Sequence, residues 1–208
     1  MLSNLPNRVV TKLGIAIKSH KNSVIVVASV KKSINFNLFG KKSIIYLDEG
    51  SISLYSETNN LLLFKFDSPF IIGLDQIFYD TEYHYITTND NVLLYLLSHE
   101  DAIDIFDKMK LWKDIAHLIS YSMRLNEHRS NNLLENRSIY HIIKTHLEMI
   151  WELPEKEREK ISVFDYILKR HKISRSSIAK IIKELNNGNY ITTKRGVLIN
   201  LNRLPAKF

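Results

Sequence analysis

The chain has 208 residues, of which 45% are hydrophobic and 25% charged. That composition fits a folded globular protein and not a disordered one, and the length allows one ordinary domain plus a small one. The formal net charge is +7 and there is no cysteine, which excludes disulfides, thiolate metal sites, cysteine-held iron–sulfur clusters and a thiol redox switch. Met1 to Lys12 has no long apolar core after a basic start, so no signal peptide is expected. No apolar run approaches the ~20 residues of a membrane helix.

The placement of charge divides the chain into three. Residues 161–208 carry 10 basic and 2 acidic side chains, residues 1–47 carry 8 basic and none acidic, and residues 48–160 carry 11 basic and 20 acidic. A basic terminal unit beside an acidic middle is the pattern of a nucleic-acid-reading module attached to a sensing or dimerising body.

From about 8 to 97, apolar and polar residues alternate, with β-branched and aromatic enrichment. Candidate strands are Val24 to Ala28, Ile34 to Phe39, Ser43 to Leu47, Ser51 to Tyr55, Leu61 to Phe66, His84 to Thr87 and Val92 to Leu97. Turns such as Asp48-Glu49-Gly50 and Asn89-Asp90-Asn91 separate them, so an antiparallel sandwich, barrel or jelly roll is expected. Tyr46, Tyr55, Phe64, Phe66 and Phe70 would fill its core and could share that space with an apolar ligand pocket.

At Ser98 the period changes. Ser98-His99-Glu100-Asp101 reads as an N-cap with acidic first-turn residues. Helix is expected from about Trp112 to Asn132, where Leu111, Ile115, Leu118, Ser122 and Leu125 make a short coiled-coil-like seam that Ser122 and Arg129 interrupt. Another helix is expected from about Arg137 to Glu152. Pro154 and the charged run 155–160 then mark a connector.

Val163, Phe164, Ile167 and Leu168 give one short apolar helix face. Ile178, Ile181, Ile182 and Leu185 give a second, capped by Ser174 and ended at Gly188, a position that usually needs a left-handed residue. His171-Lys172-Ile173 joins the two helices. Thr192 to Ile199 reads as a hairpin with Lys194-Arg195-Gly196 at its tip. A short basic helix presented by a turn is the right size for the DNA major groove.

A β-roll, a helical segment and a C-terminal winged helix, in that order, resemble the Crp/Fnr superfamily of bacterial transcription regulators. Ser174-Arg175 followed by Ile178, Ile181, Ile182, Leu185, Gly188 and Ile191 is similar to that family's recognition helix and wing. Tyr46 to Leu54, around Gly50, resembles its turn between roll strands, and Phe70-Ile71-Ile72-Gly73-Leu74 resembles the stretch before its ligand cassette. Within the superfamily the chain is most similar to the enterobacterial branch named for inhibition of hydrogen peroxide resistance. The resemblance implies an α+β fold: an N-terminal antiparallel β-roll, jelly-roll-like as in cyclic-nucleotide-binding domains, then a long central helix and a C-terminal winged helix-turn-helix. The expected segments are 1–110 for the roll, 111–153 for a helical dimerisation segment and 154–208 for the DNA-binding domain.

Two positions depart from the family pattern. Its cyclic-nucleotide cassette uses a Gly-Glu pair and a later arginine that grips the phosphate. Here Gly73 is followed by Leu74 and Asp75, and Thr81-Glu82-Tyr83-His84-Tyr85 holds an acid and no arginine. Cyclic-AMP binding is therefore not expected. Lys172 also stands near the place of the turn glycine.

The leading expectation is a cytoplasmic, dimeric, sequence-specific transcription factor that binds double-stranded DNA and contacts RNA polymerase in a stress response, with no membrane association and an unspecified effector. Arg175 matches the guanine O6 and N7 acceptors. Ser176 and Lys180 share its face, Ser174, Ser177 and Lys183 suit phosphates, and Lys194 and Arg195 suit the adjacent backbone. The alternative is a module whose winged helix contacts protein. Catalysis is not expected: there is no glycine-rich phosphate loop, nucleophile elbow or His-Glu metal motif, and a cupin-like site would need more than His20 and His84 in the strand region. His117, His128, His141 and His146 on helices and Asp101, Asp104 and Asp107 are read as ordinary helix residues, so no cofactor and no metal are expected.

Overall fold

The computed structural model describes residues 6–38, 40–79, 84–134 and 138–206, the side chains of 38 and 128–134 excepted. The chain divides into two compact units, 1–127 and 128–208.

In the first unit, Val10, Leu13, Ala16 and Ile17 recur at helical spacing and form the buried face of α1 (Asn7–Ser19). The expectation of β structure from residue 8 onward is corrected here, because three- and four-residue spacing outweighs local alternation. His20 is the C-cap of this helix and not a strand residue. Gly14 sits where α1 crosses Tyr46, and a Cβ there would lie 2.4 Å from the ring. Tyr46 is buried, so Gly14→Ala is expected to cost about 1–3 kcal/mol through overpacking, despite alanine's better helix propensity. Thermal unfolding of the variant checks this.

The strands follow as β1 (Val24–Ala28), β2 (Ser33–Ile34), β3 (Asn37–Leu38), β4 (Lys41–Glu49), β5 (Ser51–Ser56), β6 (Leu62–Asp67), β7 (Phe70–Ile72), β8 (His84–Thr88) and β9 (Val92–Ser98). A 3-10 turn (Leu74–Gln76) lies between β7 and β8. All pairings are antiparallel. One sheet runs β1-β9-β4-β3 with β7 also on β4, and the other runs β2-β8-β5-β6. The stretch 34–39 is two short pieces and not one strand, and Phe39 lies outside the described residues. In β4 the residues Ile44 to Leu47 are all buried, because one side packs on α1 and the other fills the roll.

After β9 come α2 (His99–Lys108) and α3 (Trp112–Leu134). Ser98 caps α2: its hydroxyl accepts from the Asp101 amide at 3.2 Å and donates to the Asp101 carboxylate at 2.7 Å. The carboxylate also accepts from the Asn22 amide, and the bond from the Ser98 hydroxyl is the main reason its pKa lies below the usual value. Leu111, Ile115 and Leu118, the upper part of the expected seam, are buried in the core of their own unit with Phe106 and Leu13. That stripe is thus used inside the unit.

The second unit contains α4 (Ile139–Trp151), α5 (Glu155–Arg158), α6 (Val163–Leu168), α7 (Arg175–Asn187), β10 (Ile191–Lys194) and β11 (Val197–Leu201). Arg137, the expected start of α4, lies outside the described residues. Tyr140, Ile143, Leu147 and Ile150 of α4 join Val163, Ile167, Ile178, Ile182, Leu185, Ile191 and Leu198 in one core. The helix therefore packs directly on the helix-turn-helix and wing.

Candidate nucleic-acid interface

Three side-chain oxygens fix the helix starts of the second unit. Ser138 accepts from the His141 amide, Ser162 from the Asp165 amide and Ser174 from the Ser177 amide. The last bond is 3.0 Å long and begins α7. Caps of this kind satisfy amides that a helix leaves unpaired. The Ser174 hydroxyl also meets those of Ser176 and Ser177 at 3.0 and 2.6 Å.

With Ile178, Ile182 and Leu185 buried, α7 turns Arg175, Ser176, Lys180 and Lys183 to solvent on its other side. Ser177 is half-buried. Glu184 is the one acidic side chain of α7 and is exposed with them. Arg175 is supported from α6: its guanidinium lies 5.3 Å from the centre of the Phe164 ring and 4.0 Å from the Asp165 carboxylate. Both charges are largely exposed, so the pair orients the arginine and adds little stability.

The end of α7 differs from the expected pattern. Gly188 has φ −81°, and the left-handed residue is Asn189, at +57°. Asparagine tolerates that region because its short amide bonds locally. The wing tip matches a two-residue hairpin: Arg195 and Gly196 take φ +52° and +82° between the paired Lys194 and Val197. A tight hairpin of this twist requires positive φ at both positions. The Val163 amide donates to the Gly196 carbonyl at 2.9 Å and ties the wing to α6. Lys194 and Arg195 are both exposed.

Sequence reasoning missed Asn186. Its amide donates to the Ile182 carbonyl and to Thr193 Oγ1, and its oxygen accepts from the Thr193 amide at 3.0 Å. It clasps α7 to β10 and fixes the angle between helix and wing. An Asn near a helix end is a weak signal, since the partner is known only once the wing folds back. Phe164 and Asp165 were legible only as helix residues for the same reason.

The β-roll unit has a cavity of about 140 Å³ lined by Phe64, Phe66, Phe70, Gly73, His84 and Met123 among others. The Phe66 and Phe70 rings stack 4.1 Å apart. Asp75 is on its wall, and among the described residues no Lys or Arg lines it. Thr81, Glu82 and Tyr83 lie outside the described residues. Among the described residues no group of three His, Asp or Glu side chains could hold a metal ion. Asp101 bonds Ser98 and Asn22, Asp104 pairs with Lys108, and Asp107 accepts from Trp112 Nε1. His117 is exposed, His141 lies 3.3 Å from the Ser138 hydroxyl, and the side chain of His128 is outside the described residues.

A roll of two antiparallel sheets, a long helix and a winged helix-turn-helix define the fold of the CRP/FNR regulators. The c-di-GMP-responsive global regulator CLP of Xanthomonas campestris aligns with a TM-score of 0.67 at 14% identity, over 93% of this chain and 100% of that one. A CRP/FNR-family transcriptional regulator of Thermus thermophilus aligns at 0.58 with 20% identity, over 86% and 94%. Residues 139–206 match the family model described as winged helix-turn-helix DNA binding. The chain is 33% identical over 162 residues to the inhibitor of hydrogen peroxide resistance of Escherichia coli (strain K12), which covers 77% of each protein, and 32% identical over 161 residues to that of Salmonella typhimurium (strain LT2). It belongs to the family of the inhibitor of hydrogen peroxide resistance. No helix among the described residues is long and apolar enough to cross a membrane.

Proposed function

We propose that this chain is a sequence-specific transcriptional regulator that reads duplex DNA with the helix at about 174–186. The observation that carries the reading is a set of exposed cations on one unit: Arg175, Lys180 and Lys183 on α7, with Lys194 and Arg195 on the wing that shares its core. Arg175 reads guanine through its planar fork, oriented by Phe164 and Asp165. Ser176 and Lys180 reach base edges or phosphates from the same face. Ser174, Ser177 and Lys183 meet phosphates at the helix start and side, and Lys194 and Arg195 meet the adjacent backbone.

The protein works in the cytoplasm as a homodimer and contacts RNA polymerase; this part rests on its fold and family. It does not respond to cyclic AMP. A cyclic phosphate needs a cation, and among the described residues the lining of the roll cavity offers Asp75 and His84 with no Lys or Arg.

Salt tests the reading. If Lys180, Lys183, Lys194 and Arg195 each neutralise a phosphate, the log–log slope of affinity against salt is about −3 to −4 per chain. Fluorescence titration of a labelled duplex across a salt series measures it. Weak, salt-insensitive binding would instead favour a winged helix that contacts protein.

A further inference from the structure

A buried histidine and a half-buried one hold the helix-turn-helix turn to α4. His146, on α4, is 8% exposed, and its Nε2 lies 2.6 Å from Nε2 of His171, in the turn between α6 and α7. The same turn is built from the His171 amide on the Ile167 carbonyl and the Ile173 amide on the His171 carbonyl. The His146 ring meets that of Tyr166, on α6, edge to face at 5.6 Å between centroids. The Arg170 guanidinium covers the Tyr166 ring at 3.6 Å and donates to the Tyr166 carbonyl. α7 and β11, which also pack on α4, give the shared core the apolar Ile178, Ile182 and Leu198. The charged and titratable groups that act on His146 are thus His171 and Arg170, both in the turn.

The contact suits neutral rings only. One Nε2 must donate and the other accept. Nδ1 of His146 is buried and has no hydrogen-bond partner among the described residues. A protonated His146 would place an unpaired N–H and a charge there, close to the Arg170 cation. Two protonated rings would face N–H against N–H at 2.6 Å, and the contact would have to break. Burial, with lesser contributions from His171 and Arg170, pushes the His146 pKa down from 6.5 to about 3.

We propose that the His146–His171 contact is a proton-sensitive latch on the DNA-reading head: neutral rings hold the turn that presents α7, and proton uptake on opening releases it. This regulatory role rests on the DNA reading proposed above. The sign follows from linkage. The opened state exposes His146 with an ordinary pKa near 6.5, so it binds more protons than the closed state below that pH. The latch is at full strength above pH 6.5 and weakens as pH falls from there towards 3.

The test is amide hydrogen exchange of the full chain at pH 7.5 and 5.5, corrected for intrinsic rates and read on peptides spanning α6 and α7. One pH unit below the ordinary value, the opening equilibrium is expected to rise about tenfold in the wild type. In His146→Phe, which keeps the ring packing on Tyr166 and cannot titrate, it should stay level. His146→Leu, which likewise cannot titrate, serves as a second variant if the first does not fold, and it too should flatten the response. Equal rises in wild type and variant, or no rise in the wild type, would overturn the latch. Duplex affinity measured at the same two pH values is expected to fall in the wild type only. If it holds level while exchange rises, the regulatory role is overturned. Absence of duplex binding at both pH values contradicts the DNA reading, and the exchange data still decide whether the latch exists.

Discussion

Replacing Arg175 and Lys180 together by alanine is expected to lower affinity for a selected duplex about 100-fold while leaving the protein folded. A bidentate arginine–guanine pair carries about 1–3 kcal/mol of base discrimination, and a lysine near phosphate adds a smaller, sequence-independent part. Both side chains are exposed, and the Arg175–Asp165 contact spans 4.0 Å between solvated charges. Stability should therefore change by no more than about 0.5–1 kcal/mol. The single variants separate the two roles. Arg175→Ala should relax discrimination at one base position. Lys180→Ala should weaken binding across sequences and make the salt slope shallower by about 1. Competition titrations with single-base variants of the site measure both effects.

The second large effect is on the fold beneath that surface. Ile178 is fully buried in the core shared by α4, α6, α7 and the wing. Ile178→Ala removes methyl groups from a site walled by α4 and α6, where collapse is limited, and is expected to cost about 2–5 kcal/mol. A unit of this size has a total stability nearer the low end of about 5–15 kcal/mol. Its unfolding midpoint should drop by more than about 10 °C. Trp151 packs against the same core, so its fluorescence in denaturant reports the loss. A shift below about 1 kcal/mol would mean that α7 is held by the turn and wing instead of by its apolar stripe.

The parts of the fold that depend on local chemistry were legible in the sequence. Ser98 and Ser174 cap helices as their spacing predicts, and β1 runs from Val24 to Ala28 as its β-branched residues require. The Arg195-Gly196 tip forms because only positive φ closes a two-residue hairpin. What failed depended on partners remote in sequence. α1 was hidden in a stretch that reads as alternating, and its face is defined by Tyr46 and α2, which come later in the chain. The Leu111–Ile115–Leu118 stripe looked like a seam for another helix, yet periodicity cannot say whether the partner is another chain or the chain's own roll. The left-handed turn fell to Asn189 beside the expected Gly188, a choice between neighbours that propensity does not resolve.

The exposed face of α7 was readable because burial of Ile178, Ile182 and Leu185 dictates which residues remain outside. Its supports were not. Asn186 reaches Thr193 across a turn, Asp165 and Phe164 reach Arg175 from another helix, and His146 meets His171 over 25 residues of chain. Contacts of this kind have no spacing signature.

The most direct measurement is selection of bound duplexes from a fully randomised pool by the purified full chain, with the Arg175→Ala/Lys180→Ala variant in parallel. A DNA reader with its reading head on α7 should enrich one sequence that includes a guanine, and the variant should lose that enrichment. Equal recovery of all sequences by the wild type, or the same enriched sequence from the variant, would contradict it.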